Sequence, residues 1–190
     1  MNTIRGVVRF LLGLVFLFSG FVKLIDPVGS GMIMDEYLKF MHLSFLSFGA
    51  DSGASFLSAL EMLTGIVLLT GFRIKNAIVV SLSLLSFFTL LTLFLAIYNP
   101  IVDCGCFGEA IKLTNLETFL KNIVLLGMAL FLYLQKDNFV PVAPGRIEWV
   151  FTIIFALLVI LLSFYSHYNL PIVDFLEYKA GYDLKYKTIQ

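Results

Sequence analysis

Of the 190 residues, 59% are apolar and only 14% charged, and the mean hydropathy is +0.95; a soluble domain carries roughly 45–50% apolar and 25% charged residues. The chain is therefore built to fold in lipid. Thirteen basic and 13 acidic residues cancel to a formal charge of zero, which leaves no basic surface for nucleic acid and no general attraction to anionic surfaces.

A helix of about 20 apolar residues crosses a hydrocarbon core of about 30 Å, and five such spans fit this chain. The first is short, Phe10 to Val22, and its flanking Arg9 and Lys23 extend it by snorkelling. Gly6, Gly13 and Gly20 recur every seven residues with Ser19 beside the last, predicting a flat seam for a neighbouring helix. Arg5 and Arg9 ahead of an apolar stretch resemble a signal peptide. No small-residue cleavage site follows before Lys23-Leu24-Ile25-Asp26-Pro27, however, so the segment is expected to be retained. In the connection 26–52, Asp35, Lys39 and His42 fall at i, i+4 and i+7 within Met32 to Phe48, a pattern that predicts a helix lying in the interface, apolar face down.

The second span, Gly53 to Phe72, contains one acid, Glu61, near its middle. A charge at that depth costs about 2.5–3.5 kcal/mol, so Glu61 is expected to face the bundle interior. Ser58, Thr64 and Gly65 share its helical face, and Arg9 and Lys23 are the expected partners. A lock between the first two spans, proton transfer and a quinone contact are the roles open to it. The third span, Ala77 to Tyr98, ends at Asn99-Pro100, because proline cannot continue helical hydrogen bonding. The fourth opens on Thr114-Asn115-Leu116-Glu117, which has capping-box spacing; Glu117 and Lys121 form an i,i+4 pair, and the span runs to about Gln135. Trp149 to Ser166 is the fifth, flanked by an aromatic belt of Trp149, Tyr165 and Tyr168. A mixed polar tail, 169–190, then suits the start of a further outer domain.

Arg5, Arg9, Arg73 and Arg146, with Lys75 and Lys136, fall on the side of the N-terminus and the two short connections. The positive-inside rule then predicts an N-in, C-out protein whose 26–52 loop, 99–116 loop and tail lie outside the cytoplasm.

The sharpest motif is Asp103-Cys104-Gly105-Cys106-Phe107-Gly108, which holds the only two cysteines of the chain. Both sit in a polar loop expected to face an oxidising compartment, where disulfides persist. A bridge across one glycine closes a smaller ring than Cys-x-x-Cys, and strained disulfides are the more readily reduced. So small a loop removes little unfolded-state entropy, which weakens a purely stabilising role. Asp103 opposes thiolate formation, so activation must come from the folded environment. A static bridge stays open, as does a soft-metal site completed by His42, Met32 and Met34. His42 and His167, the only histidines, read as surface residues rather than haem ligands.

Three elements together, Arg9 to Pro27, Glu61 within Leu60 to Gly65, and the Asp103 to Gly108 loop ahead of a helix, resemble the DoxX and MauE families of bacterial four-helix membrane proteins, the cysteine element being MauE-like in particular. The resemblance covers about residues 5 to 135. It implies an all-α integral membrane fold with a four-helix domain over 1–135; the fifth transmembrane helix in 136–168 and the extracytoplasmic tail, read from the chain itself, depart from that four-helix pattern. It further implies thiol and disulfide handling outside the cytoplasmic membrane, with quinone-linked chemistry in some members. Cys104 and Cys106 then carry over as the redox pair, and Arg9, Lys23 and Glu61 as motif positions. The expected function is a membrane component of thiol-disulfide exchange with a thioredoxin-like or substrate protein, quinone being the one cofactor in view. The alternative is a non-catalytic scaffold with a static disulfide that anchors an outer partner. A transporter is disfavoured by the single deep charge.

Overall fold

The computed structural model describes residues 2–40, 44–98 and 114–168, and every regular element in them is helical. In chain order these are α1 (Asn2–Ile25), α2 (Pro27–Phe40), a 3₁₀ turn (Ser44–Gly49), α3 (Ala50–Thr70), α4 (Ile74–Tyr98), α5 (Asn115–Leu134), a second 3₁₀ turn (Lys136–Asn138) and α6 (Gly145–Tyr168). Five of the six α-helices, all but the 14-residue α2, are long and apolar enough to cross a membrane. The protein is thus an all-helical, multi-pass membrane protein. Strict up-and-down traverse brings the end of α1, the start of α3, the end of α4, the start of α5 and the end of α6 to one end of the bundle. That end also receives the 99–113 connection with its two cysteines, and is called the loop end below.

The first span is longer than its apolar run. α1 has 24 residues because Arg5 and Arg9 lie within the helix, Arg5 over the Phe139 ring at 5.6 Å and Arg9 against Gly71. The glycine seam forms, though only in part. A Cβ at Gly20 would fall 2.7 Å from both the Met62 Cα and the Ser58 carbonyl oxygen, and one at Gly65 would fall 2.7 Å from the Leu17 Cα and 2.9 Å from the Gly13 carbonyl oxygen. Backbones meet there directly. Gly6 meets nothing within 4 Å, so the seam begins a heptad later than its spacing suggests.

The interfacial helix expected over Met32 to Phe48 is corrected in extent and setting. α2 starts five residues earlier, where buried Asp26 accepts from the Gly29 N–H at 3.0 Å and Pro27 takes the first helical position. It stops at Phe40, and the later residues 44–49 form a 3₁₀ turn. Its small face, Gly29, Ser30 and Gly31, is buried, so α2 docks on the bundle rather than lying apart from it.

Two helix pairs, α1 with α3 and α4 with α5, make up the main body, and α6 packs outside against α3 and α1. In α6 the buried residues, Glu148, Val159 and Ser166, recur at helical spacing along one stripe, and most of its other apolar side chains are exposed. Glu148 lies ahead of the predicted start at Trp149 and ties the opposite end together. Its carboxylate accepts from the N–H groups of Arg73 and Val142 at 3.2 Å and of Ala143 at 3.5 Å. Arg73 turns the chain between α3 and α4 with φ 49°, a conformation that costs a non-glycine residue about 1–2 kcal/mol. Trp149 adds its ring 4.2 Å from the Arg73 guanidinium. Glu148→Ala is therefore expected to lower stability by about 2 kcal/mol or more, read as a lower melting temperature in detergent, with Glu148→Gln losing less because an acceptor remains.

The interior divides lengthwise. Toward the opposite end it is dry, built from Leu12, Phe16, Leu68, Ile78, Leu85 and Leu132 with their neighbours. Toward the loop end the same four helices turn polar side chains inward.

Candidate functional site

In α5 the buried residues Asn115, Thr118, Asn122, Leu125, Ala129 and Leu132 form one stripe, polar over its first half and apolar over its second. The start of that helix is fixed as the sequence predicts. Thr114 Oγ1 accepts from the Glu117 N–H at 3.3 Å, and the Glu117 carboxylate accepts from the Thr114 N–H at 3.0 Å. The expected Glu117–Lys121 pairing is replaced, because the Glu117 carboxylate also takes the Thr114 hydroxyl at 2.8 Å. Lys121 instead lines the interior cavity described next.

Glu61 lies on the inward face of α3 and is 2% exposed. Lys23 Nζ donates to its two oxygens at 2.9 and 3.0 Å, and the Ser19 hydroxyl donates at 2.7 Å. The close approach at Gly20 sets this register, since only a residue without a side chain lets α1 come near enough for Ser19 and Lys23 to reach α3. The Lys23 ammonium also lies 5.4 Å from the Phe88 ring centroid on α4, a cation–π contact. Arg9, the other expected partner of Glu61, is corrected: its guanidinium sits at Gly71, at the far end of α3. Antiparallel packing of α1 on α3 puts Lys23, and not Arg9, level with Glu61.

Between α1, α3, α4 and α5 lies a cavity of about 40 Å³, lined by Ser19, Lys23, Glu61, Phe88, Lys121 and Asn122 among others. It has room for one or two water molecules. Asn122 Nδ2 donates to Thr92 Oγ1 at 3.3 Å, and Thr118, one turn nearer the loop end, is fully buried with no hydrogen-bond partner for its Oγ1 among the described residues. Thr92 is six residues from the end of α4 and Asn122 eight from Thr114, so at 1.5 Å per residue the polar cluster lies about 10 Å beneath the points where the cysteine connection joins. Thr92, Thr118, Asn122 and the inward placement of Lys121 were not anticipated. The polar first half of the α5 stripe is the sequence signal that reveals two of them, Thr118 and Asn122.

Asp103, Cys104, Cys106 and His42 lie outside the described residues, as do Met1 and the tail 169–190. His167, at the exposed end of α6, stands edge-on to Tyr168. No group of three His, Cys, Asp or Glu side chains able to hold a metal occurs among the described residues.

Fold and site together define a small multi-pass helical membrane protein with a buried ion pair in the polar half of its bundle. The family model described as methylamine utilisation protein MauE matches residues 1–135, and the chain belongs to the MauE family. That match takes in α1 to α5 and leaves α6 outside; it bears on MauE, while the DoxX likeness rests on the quoted motifs alone. Protein TlpB of Flavobacterium psychrophilum is similar, 28% identical over 137 residues, which is 69% of this chain and 37% of that protein. This chain therefore spans little more than a third of that relative's length. No solved structure matches.

Proposed function

We propose that this protein is a membrane component of thiol-disulfide exchange, with Cys104 and Cys106 cycling between dithiol and disulfide. The carrying observation is that the only two cysteines, one glycine apart, are attached to the end of the bundle at which the interior is polar. Membership of the MauE family and the similarity to a protein named TlpB support the reading. In the forward direction the thiolate of one cysteine attacks a partner's disulfide, forming a mixed disulfide and releasing the partner's second sulfur as a thiolate. The remaining cysteine then attacks the mixed bond, leaving the Cys104–Cys106 disulfide and a reduced partner. The same steps run backward when the partner is the reductant; a quinone reduced to quinol by two electrons and two protons would serve as a membrane acceptor. The arginine asymmetry supports a loop end outside the cytoplasm, and the family resemblance supports a bacterial inner membrane.

A Cys104→Ser or Cys106→Ser variant is expected to hold a partner as a covalent adduct on a non-reducing gel, because no second cysteine resolves it, and the double variant is expected to hold none. Cys106, farther from Asp103, is the expected attacking thiolate. A membrane-impermeant thiol reagent should label the reduced pair in intact cells and miss the oxidised pair. Absence of adduct from both single variants, with a native pair that resists mild reductant, would replace exchange by the scaffold reading. That second reading draws on the much greater length of the TlpB relative, of which the matched region is 37%.

A further inference from the structure

A second hollow, about 550 Å³, lies at the loop end between α2, the start of α3 and the end of α6. Gly31, Asp35, Lys39, Asp51, Ser166 and His167 line it, and none of them enters the thiol chemistry. Ser166 is 1% exposed, and its Oγ has no hydrogen-bond partner among the described residues. A buried hydroxyl left so costs about 1–3 kcal/mol, which a polar ligand atom would recover. Asp35 is already paired with Lys39, one turn on, and that ammonium holds its carboxyl below the usual carboxylate range. Asp51, in the first turn of α3, makes no ion pair among the described residues. Its carboxylate rests against Gly31, where any Cβ would overlap Asp51 Oδ1, so the absence of a side chain at Gly31 leaves the acid room there.

The hollow thus presents a carboxylate without an ion-pair partner among the described residues and an unsatisfied hydroxyl, with the Asp35–Lys39 pair and a histidine also in its lining. A matching ligand carries a primary ammonium for the first two and an anion that shares Lys39 with Asp35 and faces His167. The position narrows the choice further, because the last turn of a membrane-spanning helix lies at headgroup depth. Beside it on α6, Leu161, Phe164, Tyr165 and Tyr168 are exposed, an apolar face suited to an acyl chain. We propose that this hollow binds the headgroup of an aminophospholipid of the phosphatidylethanolamine type, its ammonium donating to Asp51 and Ser166 Oγ and its phosphodiester facing Lys39 and His167.

The test uses the full chain, delipidated in detergent, with phosphatidylethanolamine, phosphatidylcholine or phosphatidylglycerol added and retention read by native mass spectrometry. Phosphatidylcholine keeps the phosphate but its methylated ammonium donates no hydrogen bond, and phosphatidylglycerol has no amine. The expected result is preferential retention of phosphatidylethanolamine, reduced about tenfold by Asp51→Asn and weakened also by Ser166→Ala. Asp137→Asn, an exposed charge change at the opposite end, should leave it intact. Equal retention of the three lipids, or an unchanged preference in both hollow variants, would overturn the proposal. Competition by soluble O-phosphoethanolamine as strong as that of the lipid would overturn it in favour of a soluble amine.

Discussion

Alanine at Gly20 or Gly65 is expected to destabilise the protein more than any other single methyl group added to it. At both positions the obstacle is backbone of the facing helix rather than a side chain that could rotate away. The new Cβ can be accommodated only if α1 and α3 separate. Overpacking of a tight interior ordinarily costs about 1–3 kcal/mol; a clash with main chain on both sides of the seam belongs at or above the top of that range. Separation would also draw Ser19 and Lys23 away from Glu61, so the loss spreads to the polar site. Gly127→Ala is the internal control, since a Cβ there meets nothing within 4 Å and the exposed position in α5 favours alanine. Melting in detergent should place Gly20→Ala and Gly65→Ala well below the parent and Gly127→Ala at or slightly above it. Parent-like melting of both seam variants would show that α1 and α3 are not in backbone contact.

The second large effect is expected at Glu61. Leucine there would remove the carboxylate and leave the Lys23 ammonium in the interior without its counter-charge, at a cost of about 3–5 kcal/mol. Glutamine keeps an acceptor for Lys23 and Ser19, and should cost clearly less. Combining Glu61→Leu with Lys23→Met removes both charges, and a buried pair exchanged for apolar groups is often neutral or stabilising. The double variant should accordingly melt above Glu61→Leu alone, even though it carries more changes. Additive losses from the two substitutions would mean that the 2.9 Å pair contributes nothing as a pair. Arg9→Met, by contrast, should show no coupling to Glu61→Leu, because its guanidinium lies at Gly71.

Much of this arrangement was legible in the chain itself. Span number, the inward face of Glu61 and the Thr114–Glu117 cap are local or one-dimensional patterns, carried by hydropathy and by spacings of three and four residues. The choice between Lys23 and Arg9 was not legible, because it depends on the register of two antiparallel helices, which Gly20 and Gly65 set through space. Gly6 misled for a related reason: a heptad spacing says which face a residue occupies, not whether a neighbour extends that far. Glu148 was missed because its three backbone donors come from two connections, one of them 75 residues away. An acid in the first turn of a helix, placed to favour its positive end, was the available hint. The shift of α2 follows from its start signal, Asp26-Pro27, outweighing the amphipathic spacing of Asp35 and Lys39.

The division of the interior into a dry half and a polar half bears on what can pass through this molecule. A proton or ion reaching Glu61 from the loop end meets Phe16, Leu68, Ile78, Leu85 and Leu132 beyond it, an insulating plug across which moving an unpaired charge is prohibitively costly. The polar interior is thus closed by apolar packing in the direction of the opposite end. Charge that entered from the loop end would leave by the same route, so a full turnover there would move no net charge across the membrane, although the step into the interior would still feel part of the membrane voltage.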